Sequence, residues 1–407
     1  MAINLFDKKE DCCGCSACYD ICPKNAISMQ LDELGFIYPT INNDLCIECG
    51  LCKKVCGYTN PKLNESLDVY AAVNKNITDV LNATSGGIFT AVAKFILSKG
   101  GIVYGVSLDY KQDGSFIPHH IEINDIKELY KLQKSKYVQS NTEDIFKSVK
   151  RRLVEGNIVL FSGTPCQISG LKGYLQKDYD NLFVIDLICH GVPSSNMFNE
   201  FIAQLEQKYN SKIIEYNFRD KKKGWGSNAS FSMEKDGKIK KKYYPSKALS
   251  YMNLFYDCAI FRESCYSCPF AKKERIGDIT IGDFWGIEKE YPNLIDNGLF
   301  DLQKGVSCIL VNTEKGKKII ESISDQLNIV PVDLSKIMKY NHQLSKPASK
   351  SDNREFIFDI YINKKYQGIE EWFDKEFKIK KKIYCVYSKI PDKLKKFIKY
   401  IKNTLKG

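Results

Sequence analysis

The chain has no apolar signal segment behind a basic start, Met1 to Glu10 being a short mixed stretch. It also lacks a hydrophobic run long enough to cross a bilayer, since its most apolar stretch, Gly86 to Val106, is interrupted by Lys94 and Lys99. Neither a secreted disulfide scaffold nor a membrane-spanning protein is expected. The sixteen cysteines are therefore read against a reducing cytoplasm, where clustered thiols mean metal. Histidine is scarce, with four in 407 residues. His119, His120 and His342 fall in no recognisable constellation, and only His190 adjoins a cysteine. A basic body is missing as well. The net charge is +11, but between Lys375 and Gly407 twelve lysines face only Glu376 and Asp392, which leaves +10 in that last stretch. The remainder is close to neutral, and a nucleic-acid partner is not expected.

What the chain does have is cysteine in two copies of one spacing. Cys12, Cys15, Cys18 and Cys22, and then Cys46, Cys49, Cys52 and Cys56, both obey C-x2-C-x2-C-x3-C. Three thiolates two residues apart wrap a loop around three corners of a cubic cluster, and in two-cluster ferredoxins the fourth serves the neighbouring cluster. The spacing thus assigns Cys12, Cys15, Cys18 and Cys56 to one [4Fe-4S] cluster, and Cys46, Cys49, Cys52 and Cys22 to a second. Zinc sites pair two C-x2-C units across a longer gap and do not use triplets. Cys13 stands beside Cys12 as a competing ligand, and Gly57 occupies the position where a proline often follows.

This module is expected to end near Asn60-Pro61. Asp68 to Val73 then reads as a strand, followed by Thr84-Ser85-Gly86-Gly87 and a helix whose apolar residues are Ile88, Val92, Phe95 and Ile96. Glycines at a helix start let a ligand approach the backbone, although an ordinary tight turn and cap explains the pair equally. Gly101 to Leu108 is a second strand, and Ile123 to Gln133 and Thr142 to Leu153 read as helical. Ile158 to Phe161 leads into Ser162-Gly163-Thr164-Pro165-Cys166-Gln167, where Thr164 with Gln167 fits a capping box and Pro165 the first helical position. Leu182 to Ile188 ends at Cys189-His190-Gly191-Val192-Pro193. In a parallel α/β sheet these strand ends share a rim where ligands gather. With Cys265 and Cys268, Cys166 and Cys189 make a candidate third four-thiol site. Spacing alone leaves open that they are small buried hydrophobes or zinc ligands. Cys258, Cys308 and Cys385 are read as core or surface thiols.

Ser85-Gly86-Gly87, Gly163-Thr164-Pro165-Cys166-Gln167, Cys189-His190-Gly191, Phe218-Arg219-Asp220-Lys221, Ser264-Cys265-Tyr266-Ser267-Cys268 and Gly282-Asp283-Phe284-Trp285-Gly286 occur in one order. Together they resemble the coenzyme F420 hydrogenase/dehydrogenase β-subunit family, with a two-cluster ferredoxin domain fused in front. The resemblance covers residues 1 to about 325. It implies an FAD-binding α/β domain with its own [4Fe-4S] cluster on Cys166, Cys189, Cys265 and Cys268. It also implies cofactor contacts at Thr84, Ser85, Gly86 and Gly87 and in the turn Ser162, Gly163 and Thr164. The forms at 189–193 and 282–286 look most like the branch associated with surface polysaccharide synthesis.

The fold expected is an α+β two-cluster ferredoxin domain (1–64), then an α/β flavin-binding iron-sulfur domain in two parts (65–155 and 156–330), then a helical basic tail (331–407). Electrons are expected to pass from a ferredoxin-like donor through the clusters to FAD and a small-molecule substrate. The alternatives are a coenzyme F420-dependent subunit, a non-catalytic electron carrier, and a glycan-binding protein with structural clusters. His190, Arg219 and Trp225 are the candidate catalytic residues, with Arg219 and Trp225 in a basic-aromatic loop suited to an anionic substrate or to plain solvation. Arg262 and Arg275, flanking the C-x2-C loop, read either as counter-charges for cluster or substrate or as structural ion pairs. From Pro391 onward Leu394, Phe397, Ile398 and Ile401 make an apolar stripe opposite lysines. It is read as a packed helix in preference to a membrane-surface one.

Overall fold

The computed structural model describes residues 4–59 and 61–390. Its N-terminal part is built on an antiparallel hairpin, β1 (Ile27–Leu31) and β2 (Ile37–Ile41), with short helices Ala17–Ile21 and Leu51–Lys54 carrying Cys18 and Cys52. Each helix is entered through a left-handed residue, Ser16 at φ 62° and Gly50 at φ 72°. The same local reversal therefore precedes the third cysteine of both motifs. Glycine adopts that conformation at no steric cost, whereas serine pays for it.

The following residues form an eight-stranded sheet. Its strands are β3 (Asp68–Asn74), β4 (Ile102–Tyr110), β5 (Phe116–Ile123), β6 (Val159–Gly163), β7 (Leu182–Leu187), β11 (Ile279–Asp283), β12 (Ser307–Val311) and β13 (Leu327–Pro331). They lie in the order β13-β3-β12-β11-β7-β6-β4-β5. β4, β6, β7 and β11 are parallel neighbours, and β3 runs the same way, while β5, β12 and β13 oppose them. The sheet is thus mixed: the parallel strands expected of an α/β domain form its centre, and antiparallel strands extend it on both sides. The link from β4 to β5 shows why: a five-residue turn closes a hairpin but is far too short for a crossover. Val159, Leu160 and Phe161 are buried outright, as central strands covered on both faces require.

A second, wholly antiparallel sheet is made by β8 (Lys212–Asn217), β9 (Asn228–Lys235) and β10 (Lys238–Pro245), with β9 in the middle. It shares an aromatic core with helices Ser195–Tyr209 and Ser250–Tyr256, including Phe198, Phe201, Tyr216, Phe231 and Tyr251. Helix Arg354–Glu376 adds Ile357, Tyr361, Tyr366 and Ile369 to the same core. A tail from residue 331 is therefore corrected: the chain to Glu376 is part of the packed body, because its apolar side chains recur at helical spacing. The stripe of Leu394, Phe397, Ile398 and Ile401 lies outside the described residues. Among those described, no helix is long and apolar enough to cross a membrane.

Candidate iron-sulfur and cofactor site

The thiols of the two N-terminal motifs group across the motifs. Cys22, Cys46, Cys49 and Cys52 line one pocket with Ala26, Ile27, Ile41 and Leu51, and Cys49 is exposed, so this set lies at the surface. The other set is deeper. Burial raises the Cys18 thiol, and Cys15, Cys12 and Cys56 add to it, while burial pushes Cys12 up to about 11. Against that desolvation, main-chain amides are turned onto the sulfurs. Gly14 faces Cys12, Ala17 faces Cys15, Tyr19 faces Cys18, and Tyr58 and Thr59 face Cys56. In the surface set, Ala26 N donates to Cys22 Sγ at 3.3 Å. Amide donors stabilise thiolate and are one of the levers by which proteins hold and tune iron-sulfur clusters.

The four cysteines of the third set also converge. Cys166 lies in the first turn of helix Pro165–Leu175, directly after β6, and Cys189 follows β7, the next strand. Burial pushes Cys265 up to about 12 and Cys268 up to about 11, with Cys166 contributing to both, and Cys189 is raised by burial and then by Cys265, Cys166 and Cys268. Gly191, Val192, Phe270 and Ala271 supply main-chain hydrogen bonds to these sulfurs. Among the described residues no three His, Cys, Asp or Glu side chains converge on a single-ion position. A cubane spreads its irons over separate corners and does not require that convergence. The first and third sets meet at Cys13, whose buried thiol is within hydrogen-bond reach of the sulfurs of both Cys15 and Cys166.

Beyond the third set the rim continues past β11 to β12 and β3. The Thr84–Gly87 turn closes that end. Thr84 Oγ1 accepts from Ser135 N at 2.8 Å, Ser85 Oγ donates to Val306 O at 2.9 Å, and Gly86 N donates to Ser307 Oγ at 2.8 Å. A Cβ on Gly86 would strike the carbonyl oxygen of Ala72, so glycine at 86 serves strand packing and not the ligand clearance expected from sequence. Ser162–Thr164 lies at the other end of this run, four strands from β3, or roughly 19 Å at the usual strand spacing. The Ser162 carbonyl accepts from His120 Nε2 at 3.2 Å, and Thr164 caps its helix with Gln167. The two turns therefore cannot line one compact pocket.

Between them stands a group that sequence reading assembled only in part. Arg219, 5% exposed, is ion-paired to Asp283 at the end of β11, and its Nε donates to Gly226 O at 3.1 Å. Trp225 Nε1 donates to the same Asp283 carboxylate at 2.8 Å, and the Trp225 ring lies on Trp285 at 4.6 Å with 8° between planes. Arg219 is thus spent on Asp283 and is not free to clamp a substrate directly, which corrects its expected role. The two half-buried tryptophans cover each other, and the Arg219 guanidinium lies 5.0 Å from the Trp285 ring centroid. Lys221 donates to Val80 O at 2.6 Å and to Ser85 O, tying this loop to the 84–87 turn, and burial holds its amine down to about 7. Helix Ile88–Ser98 begins beside it with no side-chain cap. His190 packs between Phe255 and Phe261, with Nε2 3.5 Å from Cys258 Sγ and Nδ1 2.5 Å from Gln343 Nε2. Asp283 and Lys221 both fell inside quoted motifs, but sequence offered no sign of what they would contact.

Comparison with known proteins gives this geometry a family. Residues 156–336 match the model for the C terminus of the coenzyme F420 hydrogenase/dehydrogenase beta subunit, and residues 11–60 match a 4Fe-4S dicluster domain. Residues 156–336 thus form a C-terminal domain of the coenzyme F420 hydrogenase/dehydrogenase beta-subunit type. The N-terminal part of the chain is an iron-sulfur dicluster domain. The chain is similar to a coenzyme F420-dependent sulfite reductase of Methanocaldococcus jannaschii, 24% identical over 375 residues, which cover 88% of this chain and 53% of that protein. The chain thus spans about half the length of that relative. It is also similar to an uncharacterized ferredoxin of the same organism, 36% identical over 56 residues, or 14% of this chain and 71% of the ferredoxin. Among solved structures it is similar to a chain of the F420-reducing [NiFe] hydrogenase complex from Methanosarcina barkeri, at 15% identity and a TM-score of 0.44, covering 74% of this chain and 94% of that one.

Proposed function

We propose that the chain is a cytoplasmic iron-sulfur oxidoreductase that accepts electrons from a ferredoxin-like donor at the surface cysteine set and delivers them to a small molecule at the sheet rim. The observation that carries this reading is the succession of cysteine sets: Cys22, Cys46, Cys49 and Cys52 at the surface, then Cys12, Cys15, Cys18 and Cys56, then Cys166, Cys189, Cys265 and Cys268 at the strand ends, the last two in contact through Cys13. Each set is read as the ligands of one [4Fe-4S] cluster, and FAD is read as the rim cofactor. Clusters move single electrons, and a flavin stores two. The chain's residues prepare the rim for such a group. Trp225 and Trp285 offer a ring face, and Asp283 fixes the Trp225 indole. Lys221 and the uncapped start of helix Ile88–Ser98 offer positive charge for a phosphate.

The name of the 24%-identical relative favours coenzyme F420 as the small molecule. The 189–193 and 282–286 motif forms favour a surface-glycan precursor instead. That the chain spans about half of that relative favours a third outcome, a carrier whose partner performs the chemistry. Stopped-flow mixing separates these readings. The dithionite-reduced protein is mixed with coenzyme F420, with nucleotide sugars, and with a cell extract divided into small-molecule and protein fractions. Reoxidation by a small molecule alone is expected. Reoxidation only by the protein fraction would replace the enzyme reading with the carrier one.

A further inference from the structure

Four arginines are buried to 5% exposure or less, namely Arg219, Arg262, Arg275 and Arg354. Three have an acidic partner: Asp283 for Arg219, Asp186 for Arg275 at 3.1 Å, and Glu263 for Arg354 at 2.8 Å. Arg262, at 1% exposure, has no carboxylate within salt-bridge distance among the described residues. A guanidinium does not shed its proton, and a buried charge without compensation is strongly destabilising, so another source of negative charge must face it.

Its position names that source. The Arg262 main chain belongs to the third cysteine set, because its N donates to Val192 O at 2.9 Å and its O accepts from Cys265 N at 3.0 Å. Its side chain belongs to the first set. Nε donates to Cys12 O at 2.9 Å, Nη1 to Ile37 O at 2.8 Å and to Gln139 Oε1 at 3.3 Å, and Nη2 lies 3.8 Å from Cys12 Sγ. The Tyr38 ring covers one face of the guanidinium at 3.9 Å. Every polar neighbour named here is neutral except the Cys12 sulfur, which is anionic once it ligates a cluster. The cation also acts on Cys166 and Cys265 of the third set, while the surface set of Cys22, Cys46, Cys49 and Cys52 makes no contact with it among the described residues.

We propose that Arg262 is the common counter-ion of the first and third cluster sites, raising the reduction potential of both and leaving the surface cluster unaffected. This rests on reading the three cysteine sets as [4Fe-4S] sites. Each cluster gains negative charge on reduction, so a fixed cation between two of them favours the electron residing on that pair over the surface site. Arg262 is a positioning residue here, touching ligands and not substrate.

The test is a redox titration of the full-length, anaerobically purified protein, followed by electron paramagnetic resonance, with iron and sulfide counted on every sample. The third-cluster signal is assigned from a Cys268→Ala chain. In Arg262→Met the reduced-to-oxidised ratio of the first and third clusters at a fixed poise should fall at least tenfold, which is about 59 mV for a one-electron couple. The surface cluster should not move, and Arg262→Lys should recover most of the loss. Gln139→Glu, which places a carboxylate against the intact guanidinium, should lower the same two potentials and decides the matter if Arg262→Met loses iron. Unchanged potentials, a shift confined to one cluster, or an equal shift in all three would overturn the proposal. Fewer than three clusters in the unaltered chain would instead overturn the cluster reading beneath it.

Discussion

Gly173→Ala is a sensitive probe of how the dicluster part is attached. Helix Pro165–Leu175 lies against residues 55–57: a Cβ on Gly173 would strike the carbonyl oxygen of Val55 and come within 3.2 Å of Gly57 N. On an exposed helix the same change would stabilise by about 1 kcal/mol, because alanine has the higher helix propensity. Here the new methyl meets backbone that cannot swing aside, since Val55 adjoins Cys56. Overpacking of this kind costs about 1–3 kcal/mol. At the upper end of that range the net effect is a loss of about 2 kcal/mol, at about 2–4 °C of melting temperature per kcal/mol for a large domain. The assay is paired thermal unfolding of the two anaerobic proteins by circular dichroism, with the magnetic interaction between the first and third clusters as a second readout. A variant that melts at a higher temperature, with that interaction intact, would refute the close docking.

The unaltered chain should hold about 12 irons, and Cys268→Ala about a third fewer; about 8 in the unaltered chain would remove the third cluster. Asp283→Asn leaves Arg219 buried without its acid and should cost about 3–5 kcal/mol in chemical unfolding, together with loss of ring-ligand binding, whereas an unchanged midpoint would show that the pair does not matter. Lys221 gives two opposed pH slopes. Its folded amine titrates at about 7 against 10.5 for the free side chain, so the unfolded chain binds more protons between those values and the Lys221 contribution to stability rises with pH across that window. The cation itself is lost as pH rises through about 7, so FAD affinity, followed by fluorescence, should fall from about pH 6 to about pH 8. Lys221→Met should flatten both, and an unchanged FAD slope in that variant would exclude Lys221 from the phosphate site.

The cysteine spacing carried the most information, because ligand geometry around a cluster is a local constraint written in consecutive residues. The grouping of Cys18 with Cys56, and of the surface set with Cys22, follows directly from it. Strand ends were legible at Cys166 and Cys189, where apolar runs stop at turn residues. What could not be read was anything set by long-range packing. Arg219 and Asp283 are 64 residues apart and meet only because the small sheet leans over the end of β11. Gly86 resembled a ligand turn because a glycine demanded by a neighbouring strand and one demanded by a ligand are the same letter. Helix Arg354–Glu376 was missed as core because its charged residues mask the buried apolar ones.

If the cysteine sets carry electrons as proposed, the contact through Cys13, with the helix of Gly173 behind it, fixes the kinetic order of internal transfer. When donor and acceptor sites are held on one folded chain, encounter between them takes no diffusion and their effective concentration is set by the fold. Passage from the first site to the third is therefore unimolecular. It does not slow when the protein is dilute, and a competing ferredoxin in solution cannot intercept it. On that proposed route only the surface set around exposed Cys49 is subject to mass action, so the concentration of an outside donor would govern entry and nothing beyond it.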